Sequence, residues 1–313
     1  MDSRLVQDPS VAMTGITDIF EKCFKFTTAR ELQKMGVYPF FRVIESAQDP
    51  EVVMNGRKMI MVGSNNYLGL TNHPKVKEAA IDAIRKYGSG CAGSRFLNGT
   101  LDIHVNIINL PEVLKITKKY GARLMVDDAH GIGVLGKTGR GTAEHFGLES
   151  EVDLVMGTYS KSLASIGGFI AGDNDVVHYI KHFARALIFS ASPPPASVAA
   201  VSAALDIIEN EPERIERLWK NTHKMLDGFK ALGFQVGPSQ TPIIPIIVGE
   251  DEAAFKIVMM LQEEGVFANV AVSPAVPPGK ALIRTSYMAT HTDEQLDKVL
   301  DAFKKVGKAC GLI

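Results

Sequence analysis

The sequence predicts an α/β fold, in which a mostly parallel sheet is covered by helices and is followed by a smaller α+β unit. Short, nearly continuous apolar segments begin near residues 124, 154 and 168, and turns and helical patterns separate them. Such segments are typical of parallel strands that are buried on both faces. Alternating strands and helices continue beyond them and predict the second unit.

We expect three parts along the 313 residues. Residues 1–60 are predicted to form an N-terminal segment with a helix and a hairpin, residues 61–205 the large domain, and residues 206–313 the small domain. Loose helical spacing over 12–35 predicts the helix. The pair Asn55-Gly56 predicts the hairpin, because both residues accept the positive φ of a tight turn.

Helices and strands are predicted in turn through the large domain. Proline near the start and glycine at the end indicate a helix over 73–88, and a second helix runs from Pro111 to Gly121. The apolar segment 186–192 is interpreted as a further strand of the sheet. Alternating apolar residues over 101–107 also predict a strand.

The C-terminal part is predicted to begin with helices and to continue as alternating strands and helices. Apolar spacing favours helices over 195–209 and 212–233, and a terminal helix from Asp293. Strands, with one helix between them, are predicted at 242–249 and 280–289.

Composition argues against several classes of function. Lys and Arg number 34 against 35 acidic residues, so a formal charge of -1 gives no reason to expect nucleic acid or an anionic membrane as a partner. No apolar run reaches the length of a transmembrane span, and no targeting segment is recognised. Cys23, Cys91 and Cys310 are too few and too far apart for a disulfide framework or a zinc cluster, which favours the reducing cytoplasm.

The segment Gly88–Gly93, GSGCAG, matches the G-x-G-x-x-G pattern of dinucleotide-binding proteins. In those proteins the pattern follows a strand and opens a helix, whereas here it follows a predicted helix. A nucleotide-dependent oxidoreductase rests on this match alone. A glycine-rich loop with unusual backbone angles, or one that lets a ligand approach, is the better interpretation.

Two other segments place reactive side chains at strand ends. Asp127 and His130 follow the strand near 124, and Lys161 follows the strand near 154. Because adjacent parallel strands end at one edge of a sheet, a carboxylate, an imidazole and an amine would converge there. Taken singly, the first two also fit a helix cap or a solvated turn, and the lysine a surface position. No metal site is predicted, because further ligands at suitable spacing are missing.

The combination predicts a site for pyridoxal phosphate (PLP). A partly desolvated lysine can react with a carbonyl as a neutral amine, and a carboxylate can keep the pyridine nitrogen of the cofactor protonated. Hydroxyl groups that suit a phosphate lie near the ends of two predicted strands. They belong to Thr158, Ser160, Ser190 and Ser192.

Six segments carry a resemblance to a known family. In chain order they are GSNNYLGL, GCAGSRFLNGTLDIH, LMVDDAHGIGVLGKTGRG, VMGTYSKSLASIGGFIAGD, FSAS and LIRTSYMATHT. They resemble the α-oxoamine synthases, which are fold-type I PLP enzymes, and the resemblance covers nearly all of residues 36–308. Within the family, CAGSRFLNGTLDIH and SKSLASIGGFIAGD are most similar to the bacterial serine palmitoyltransferases.

The resemblance implies roles around the cofactor. Lys161 corresponds to the lysine that binds PLP covalently, and Asp127 to the acid that pairs with the pyridine nitrogen. His130 corresponds to the imidazole that contacts the ring hydroxyl. Thr158, with Ser160 beside it, corresponds to a phosphate-binding hydroxyl.

The resemblance also implies residues for the substrate and for a second subunit. Arg284 corresponds to the arginine that holds the substrate carboxylate, for which its planar fork is suited, and Asn65 to a second carboxylate contact. A strand-edge ion pair for Arg284 and a turn position for Asn65 are the alternatives. Family members are homodimers with sites at the subunit interface, so Ser190 or Ser192 is implied to serve the phosphate of the other subunit.

The implied reaction condenses an amino acid with an acyl-CoA thioester and releases CoA and carbon dioxide. Serine and a long-chain acyl-CoA are the expected substrates, as in serine palmitoyltransferase and sphingolipid synthesis. Glycine C-acetyltransferase and aminooxononanoate synthase activities are the alternatives.

One part of the family pattern is missing. GTLDIH joins INLPE directly through Val105 and Asn106, whereas family members carry between them a segment on the order of eighty residues, far beyond loop variation. That segment is implied to hold strands of the large domain, a histidine that stacks on the cofactor and part of the phosphate cradle. In family members LDIH leads into a helix, so the strand at 101–107 is expected to be an accident of the junction.

The junction at Val105 has two interpretations. Either an internal segment is lost from an otherwise intact sequence, or the deletion is genuine. A genuine deletion would expose sheet edges. It would also favour a catalytically inactive relative that acts only as a subunit beside a complete partner.

Overall fold

The structure of the chain is a computed structural model, and it describes residues 28–38, 42–87, 111–236, 241–272, 276 and 278–313. Within these residues the strands form three sheets of three strands each. Several sequence predictions lie outside the described residues: the segment Gly88–Gly93, the strand at 101–107, the junction at Val105, and most of the helix over 12–35.

The first sheet contains the predicted hairpin. β1 (Glu51–Met54) and β2 (Arg57–Met61) pair antiparallel around Asn55 and Gly56. Their φ angles of 50° and 70° are the left-handed values that a two-residue hairpin turn requires. β2 also pairs in parallel with β7 (Val266–Phe267), so the N-terminal hairpin is tied to the C-terminal part of the chain.

The second sheet carries the strand-end residues of the candidate site. β3 (Met125–Asp127) and β4 (Leu154–Thr158) are parallel, so their carboxyl ends lie at one edge. β5 (Gly168–Gly172) is antiparallel to β4. The connection 159–167 between them contains no crossover helix, and a parallel pair needs a crossover of roughly a dozen residues or more. The sheet is therefore mixed, within the α/β fold that the sequence predicts.

The third sheet is antiparallel throughout. β9 (Ala281–Ser286) lies between β6 (Ile243–Gly249) and β8 (Asn269–Ala271). Along β9, Ala281 and Ile283 are buried in the core, and the residues between and after them are less buried. Because successive side chains of a strand point to opposite faces, Arg284 lies on the face away from that core.

The helices follow the sequence prediction with one exception. Their bounds are α1 Thr28–Lys34, α2 Pro74–Tyr87, α3 Pro111–Lys119, α4 Thr142–Phe146, α5 Asn174–Phe183, α6 Arg185–Ile188, α7 Pro195–Asn210, α8 Glu213–Leu232, α9 Asp251–Glu263 and α10 Asp293–Ala309. Local signals explain several ends: Gly233, with a φ of 94°, ends α8, and Thr292 forms a capping box with Gln295 at the start of α10. Among the described helices, none combines the length and the apolar character that crossing a membrane demands.

The exception is the strand predicted at 186–192, which is wrong. Most of the segment lies in the short helix α6, and the Phe189 side chain is 81% exposed. The Leu187 N–H donates to the Ala184 carbonyl at 2.9 Å, so local bonds satisfy the backbone without a neighbouring strand. A short apolar run is typical of either element, and periodicity alone does not distinguish them.

Helix α8 connects two hydrophobic cores. Ile215, near its start, belongs to a core that also contains Tyr67 and Leu163. Met225 and Phe229, further along, belong to the core of the third sheet. One continuous helix therefore packs against both the segments that carry the cofactor-side residues and the sheet that carries Arg284.

Candidate active site

A cavity of about 360 Å³ lies beside the carboxyl end of β4. Its walls include three residues that sequence analysis singles out, Asn65, Ser160 and Lys161, together with Ser64 and Thr71. The volume is in the range of small-molecule sites. The fold thus brings a segment that follows β2 next to the loop that follows β4.

Lys161 lies in a tight loop between β4 and β5. Ala164 has a φ of 53°, which is uncommon for a residue other than glycine, and its N–H donates to the Lys161 carbonyl at 3.1 Å. The Ser165 hydroxyl donates to the Ser197 carbonyl at 2.8 Å. Leu163 is buried in the core. These contacts hold the loop in place, and the half-buried Lys161 faces the cavity.

The charge state of Lys161 depends on three influences. Burial lowers the pKa of its amine, the carboxylate of Asp127 raises it, and the positive charge of Arg284 lowers it. The net effect is a pKa below the usual lysine value. A larger fraction of the amine is therefore neutral, which is the form that attacks a carbonyl.

The two aspartates at the end of β3 have different environments. Asp127 is exposed, and one of its carboxylate oxygens accepts from the Ala129 N–H at 3.0 Å. Asp128 is 2% exposed, and its carboxylate accepts from the N–H and the hydroxyl of Thr142 at 2.8 and 2.6 Å. Asp128 therefore closes its loop onto the start of α4, whereas Asp127 stays accessible at the sheet edge.

A polar network joins His130 to the residues on the substrate side. The Tyr67 hydroxyl lies 2.9 Å from Nδ1 of His130, and it lies 3.3 Å from Oδ1 of Asn65. The same Oδ1 accepts from Nη2 of Arg284 at 2.8 Å. Side chains from distant segments thus form one connected chain of hydrogen bonds.

The protonation states in this network follow from its surroundings. Desolvation and the positive charges of Lys161 and Arg284 lower the pKa of His130 to about 4, against the opposing effect of Asp127. Burial raises the pKa of Tyr67 to about 12. At neutral pH the imidazole is therefore neutral with one ring proton, and the phenol keeps its proton.

The four predicted phosphate-binding hydroxyls are not equally placed. Oγ1 of Thr158 lies 3.0 Å from Oγ of Ser160, and Ser160 lines the cavity. Ser190 is exposed, and Ser192 is 8% exposed with no hydrogen-bond partner for its hydroxyl. Neither Ser190 nor Ser192 belongs to the described residues that line the cavity.

Sequence analysis missed Tyr67. The residue lies two positions after Asn65 in the segment GSNNYLGL, and a buried tyrosine usually finds a partner for its hydroxyl. That tendency is a usable signal for a polar contact at this position. The identity of the partner, His130, depends on the fold.

These side chains suit PLP. An amine with a lowered pKa, a carboxylate, a neutral imidazole and a pair of hydroxyls are the groups that would bind its aldehyde, its pyridine nitrogen, its ring hydroxyl and its phosphate. In the ranges that the structure describes, no group of three His, Cys, Asp or Glu side chains could hold a metal ion.

Comparisons with known proteins give a consistent result. The family described as aminotransferase class I and II matches residues 106–303. A serine palmitoyltransferase of Sphingobacterium spiritivorum is 41% identical over 384 residues, which cover 92% of this chain and 96% of that protein. An 8-amino-7-oxononanoate synthase of Thermoanaerobacter pseudethanolicus is 33% identical over 380 residues, which cover 90% of this chain and 96% of that protein.

A solved structure agrees with these relatives. It is described as SPT with a PLP internal aldimine, and it has a TM-score of 0.89 and 28% sequence identity. The match covers 95% of this chain and 100% of that one.

The alignment with the S. spiritivorum protein is longer than the chain itself, 384 residues against 313. That relative therefore contains residues for which this chain has no counterpart, as an internal gap would require. The family, the fold class and the cofactor class that the sequence predicts are confirmed by the matches. The chain belongs to the aminotransferase class I and II family and, within it, to the α-oxoamine synthases, the PLP-dependent acyltransferases of fold type I.

Proposed function

We propose that this chain condenses serine with a long-chain acyl-CoA to a 3-keto amine, with release of CoA and carbon dioxide. One observation carries the proposal: Arg284 is hydrogen-bonded to Asn65, which lines the same cavity as Lys161. A planar cation for a carboxylate and a reactive amine are the two groups that an amino-acid site of this kind needs.

The choice of serine rests on the relatives. The serine palmitoyltransferase of S. spiritivorum is 41% identical to the chain, whereas the 8-amino-7-oxononanoate synthase is 33% identical. The difference favours serine and a long-chain acyl-CoA. Glycine C-acetyltransferase and aminooxononanoate synthase activities stay as alternatives within the same chemistry.

Three residues are proposed to act on the cofactor side. PLP, when bound, supplies an electron sink for the carbanion that forms at the α-carbon of the amino acid. Lys161 holds the cofactor and then takes the α-proton, which its lowered pKa suits because the amine must be neutral to accept a proton. Asp127 balances a positive charge on the pyridine nitrogen, and His130 donates a hydrogen bond to the ring hydroxyl.

The remaining site residues are proposed to bind. Arg284 and Asn65 hold the carboxylate of the amino acid, and their mutual hydrogen bond keeps the guanidinium oriented before that carboxylate arrives. Thr158 and Ser160 bind the phosphate of the cofactor. In a homodimer, Ser190 or Ser192 would reach the phosphate bound by the other subunit.

We propose the same organisation for the whole molecule that the sequence predicts. It comprises an N-terminal segment over 1–60, a cofactor-binding large domain over 61–205 and a small domain over 206–313. Homodimers in the cytoplasm, with no nucleic acid as a partner, fit the nearly balanced charge of the chain.

A specific observation favours a second candidate, a catalytically inactive relative that acts as a subunit. The chain lacks residues that its relative carries. Large apolar side chains of β3 and of the helix before it are also exposed: Met125 is 54% exposed, Ile116 61% and Tyr120 73%. Apolar groups on an edge strand of this kind are usually covered by further strands or by a partner.

Trapping of the cofactor tests the first candidate. The recombinant chain is incubated with PLP, reduced with borohydride, digested and analysed by mass spectrometry. We expect the adduct on Lys161, its loss in Lys161→Ala, and its retention in the control Lys137→Ala, which alters an exposed lysine. Absence of the adduct from the wild type would contradict a cofactor-dependent function for this chain.

Release of CoA separates the two candidates. Serine, glycine and alanine are assayed with acyl-CoAs of increasing chain length, and we expect the highest rate with serine and a long chain. An adduct on Lys161 without CoA release would instead support the inactive subunit. An intact mass of the natural protein near 34.0 kDa would show that the internal deletion is genuine.

A further inference from the structure

We propose that Tyr67 is a positioning residue, which fixes the tautomer of His130 and connects it to the pair Asn65 and Arg284. The inference rests on the proposed function only where it concerns PLP and the substrate. The tautomer itself is a property of the chain's own side chains, so it can be tested without either ligand.

The Tyr67 ring is held firmly. It is 1% exposed, and it belongs to the core that also contains Leu68 and Leu163. Its carbonyl accepts from the Ala289 N–H at 2.6 Å, so the backbone is fixed as well. The hydroxyl is therefore presented to His130 from a rigid base rather than from a mobile surface side chain.

The Tyr67 hydroxyl has one proton and two acceptors within reach. These are Nδ1 of His130 at 2.9 Å and Oδ1 of Asn65 at 3.3 Å. Oδ1 of Asn65 already accepts from Arg284 at 2.8 Å, and the positive charge of Arg284 also lies close to the phenolic oxygen. The shorter contact and the existing donor on Asn65 both favour donation of the Tyr67 proton to Nδ1.

This direction of donation determines which nitrogen of His130 carries the ring proton. A nitrogen that accepts a hydrogen bond has no proton of its own, so the single proton of the neutral ring lies on Nε2. Nε2–H is then a donor for an oxygen atom in the site. If Nδ1 donated to Tyr67 instead, Nε2 would be a bare acceptor and could not make that bond.

The same hydroxyl links the two halves of the site. Tyr67 contacts His130 on one side, and on the other it contacts the amide oxygen that holds Arg284. Loss of the hydroxyl leaves the bond between Arg284 and Asn65 in place. We therefore expect binding of the amino-acid carboxylate to be largely kept and the step that depends on His130 to be impaired.

Nuclear magnetic resonance of the cofactor-free chain tests the tautomer. With 15N-labelled histidine, long-range proton–nitrogen correlations distinguish the two ring nitrogens, and His130→Gln identifies the signals of His130. We expect one tautomer in the wild type, protonated at Nε2, and a mixture of two in Tyr67→Phe. A wild type protonated at Nδ1, or an unchanged tautomer in Tyr67→Phe, would overturn the proposal.

Tyr287→Phe is the matched control. Tyr287 is fully buried, and its hydroxyl donates to Oγ1 of Thr285 at 3.1 Å, so the substitution removes the same atom from a comparable interior. We expect this variant to keep the His130 tautomer of the wild type. A mixture of tautomers in Tyr287→Phe as well would assign the effect to general loosening and would contradict a specific role for Tyr67.

Asn65→Ala keeps the test decisive if Tyr67→Phe does not fold. It removes the competing acceptor and leaves Nδ1 of His130 as the partner of Tyr67. The inferred direction of donation predicts an unchanged Nε2–H tautomer. A shift of the proton to Nδ1 in Asn65→Ala would overturn the inference.

Kinetics test the functional part in the PLP-loaded chain. Removal of one hydrogen bond that acts through His130 should lower kcat of Tyr67→Phe about tenfold and change KM for the amino acid less than about twofold. An unchanged kcat despite a mixed tautomer would contradict the positioning role. If the wild type binds no PLP, the proposed function fails, whereas the resonance measurement still decides the tautomer.

Discussion

The Arg284 guanidinium donates a 2.8 Å hydrogen bond to Oδ1 of Asn65, although 219 positions separate the two residues in the chain. Arg284 lies on β9 of the third sheet, and Asn65 follows the N-terminal hairpin. The contact therefore spans the junction between two sheets. A carboxylate-binding pair at this junction exists only when both sheets are folded.

Arg284→Lys should weaken binding of the amino acid. The variant keeps the positive charge but loses the planar fork that binds a carboxylate through two parallel bonds. We expect KM for the amino acid to rise about tenfold to a hundredfold, with a smaller effect on KM for the acyl-CoA. The control is Arg123→Lys, which alters an exposed arginine paired with Asp153. Equal KM values for wild type and Arg284→Lys would contradict a role in carboxylate binding.

The reactivity of Lys161 should respond to its charged neighbours in opposite directions. Asp127 raises the pKa of Lys161, so Asp127→Asn should lower that pKa further, whereas Arg284→Gln should raise it. The pH at which the amine becomes reactive is measured on the cofactor-free chain, by acylation at a series of pH values and mass spectrometry of the Lys161 peptide. Shifts of both variants in the same direction would contradict this electrostatic arrangement.

Asp127 and Asp128 should differ when each is replaced by alanine. Asp128 is buried and accepts two hydrogen bonds from Thr142, so Asp128→Ala should lower the free energy of unfolding by about 2–4 kcal/mol. Asp127 is exposed, so Asp127→Ala should change stability little and weaken PLP binding. Urea unfolding and cofactor titration of both variants measure the two effects. The reverse outcome would exchange the structural and functional roles of the two residues.

His291 should make the folded chain sensitive to acid. It is 1% exposed, Nδ1 accepts from the Met288 N–H at 3.1 Å, and Nε2 has no hydrogen-bond partner. Burial lowers its pKa to about 4. The unfolded chain binds a proton at His291 below pH about 6.5, which the folded chain resists, so this contribution to stability is present above that pH and is lost as the pH falls towards about 4.

The expected loss from His291 is up to roughly 3 kcal/mol across that window. His291→Asn should be less stable than the wild type near neutral pH and should lose less stability on acidification, because asparagine does not titrate. Urea unfolding at several pH values measures the difference between the two slopes. His178→Asn, at an exposed position, should keep the wild-type slope. Parallel slopes for the wild type and His291→Asn would contradict the prediction.

Sequence patterns predicted most of the elements because their signals are local. The hairpin depends on the φ angles of Asn55 and Gly56, and helix α8 depends on apolar spacing that ends at Gly233. The segment 186–192 lacked such a signal, and its helical form depends on local bonds that a short apolar run does not reveal. The antiparallel direction of β5 follows from the short connection before it, which sequence analysis did not use.

The sequence by itself determined the chemistry of the site. It placed Lys161 and Asp127 at the ends of two strands, and the parallel pairing of β3 and β4 puts those ends at one edge for a geometric reason that holds in any parallel sheet. The family resemblance added Arg284 and Asn65, and the roles of all four residues stay predictions until the variants are measured.

Only the tertiary structure decided how these groups are connected. It placed the Tyr67 hydroxyl between His130 and Asn65, brought Arg284 to the same oxygen, and separated the buried Asp128 from the accessible Asp127. The physical reason is range. Strand and helix signals act over a few residues, whereas a hydrogen bond between sheets and the burial of one neighbour rather than the other arise only when distant segments pack together.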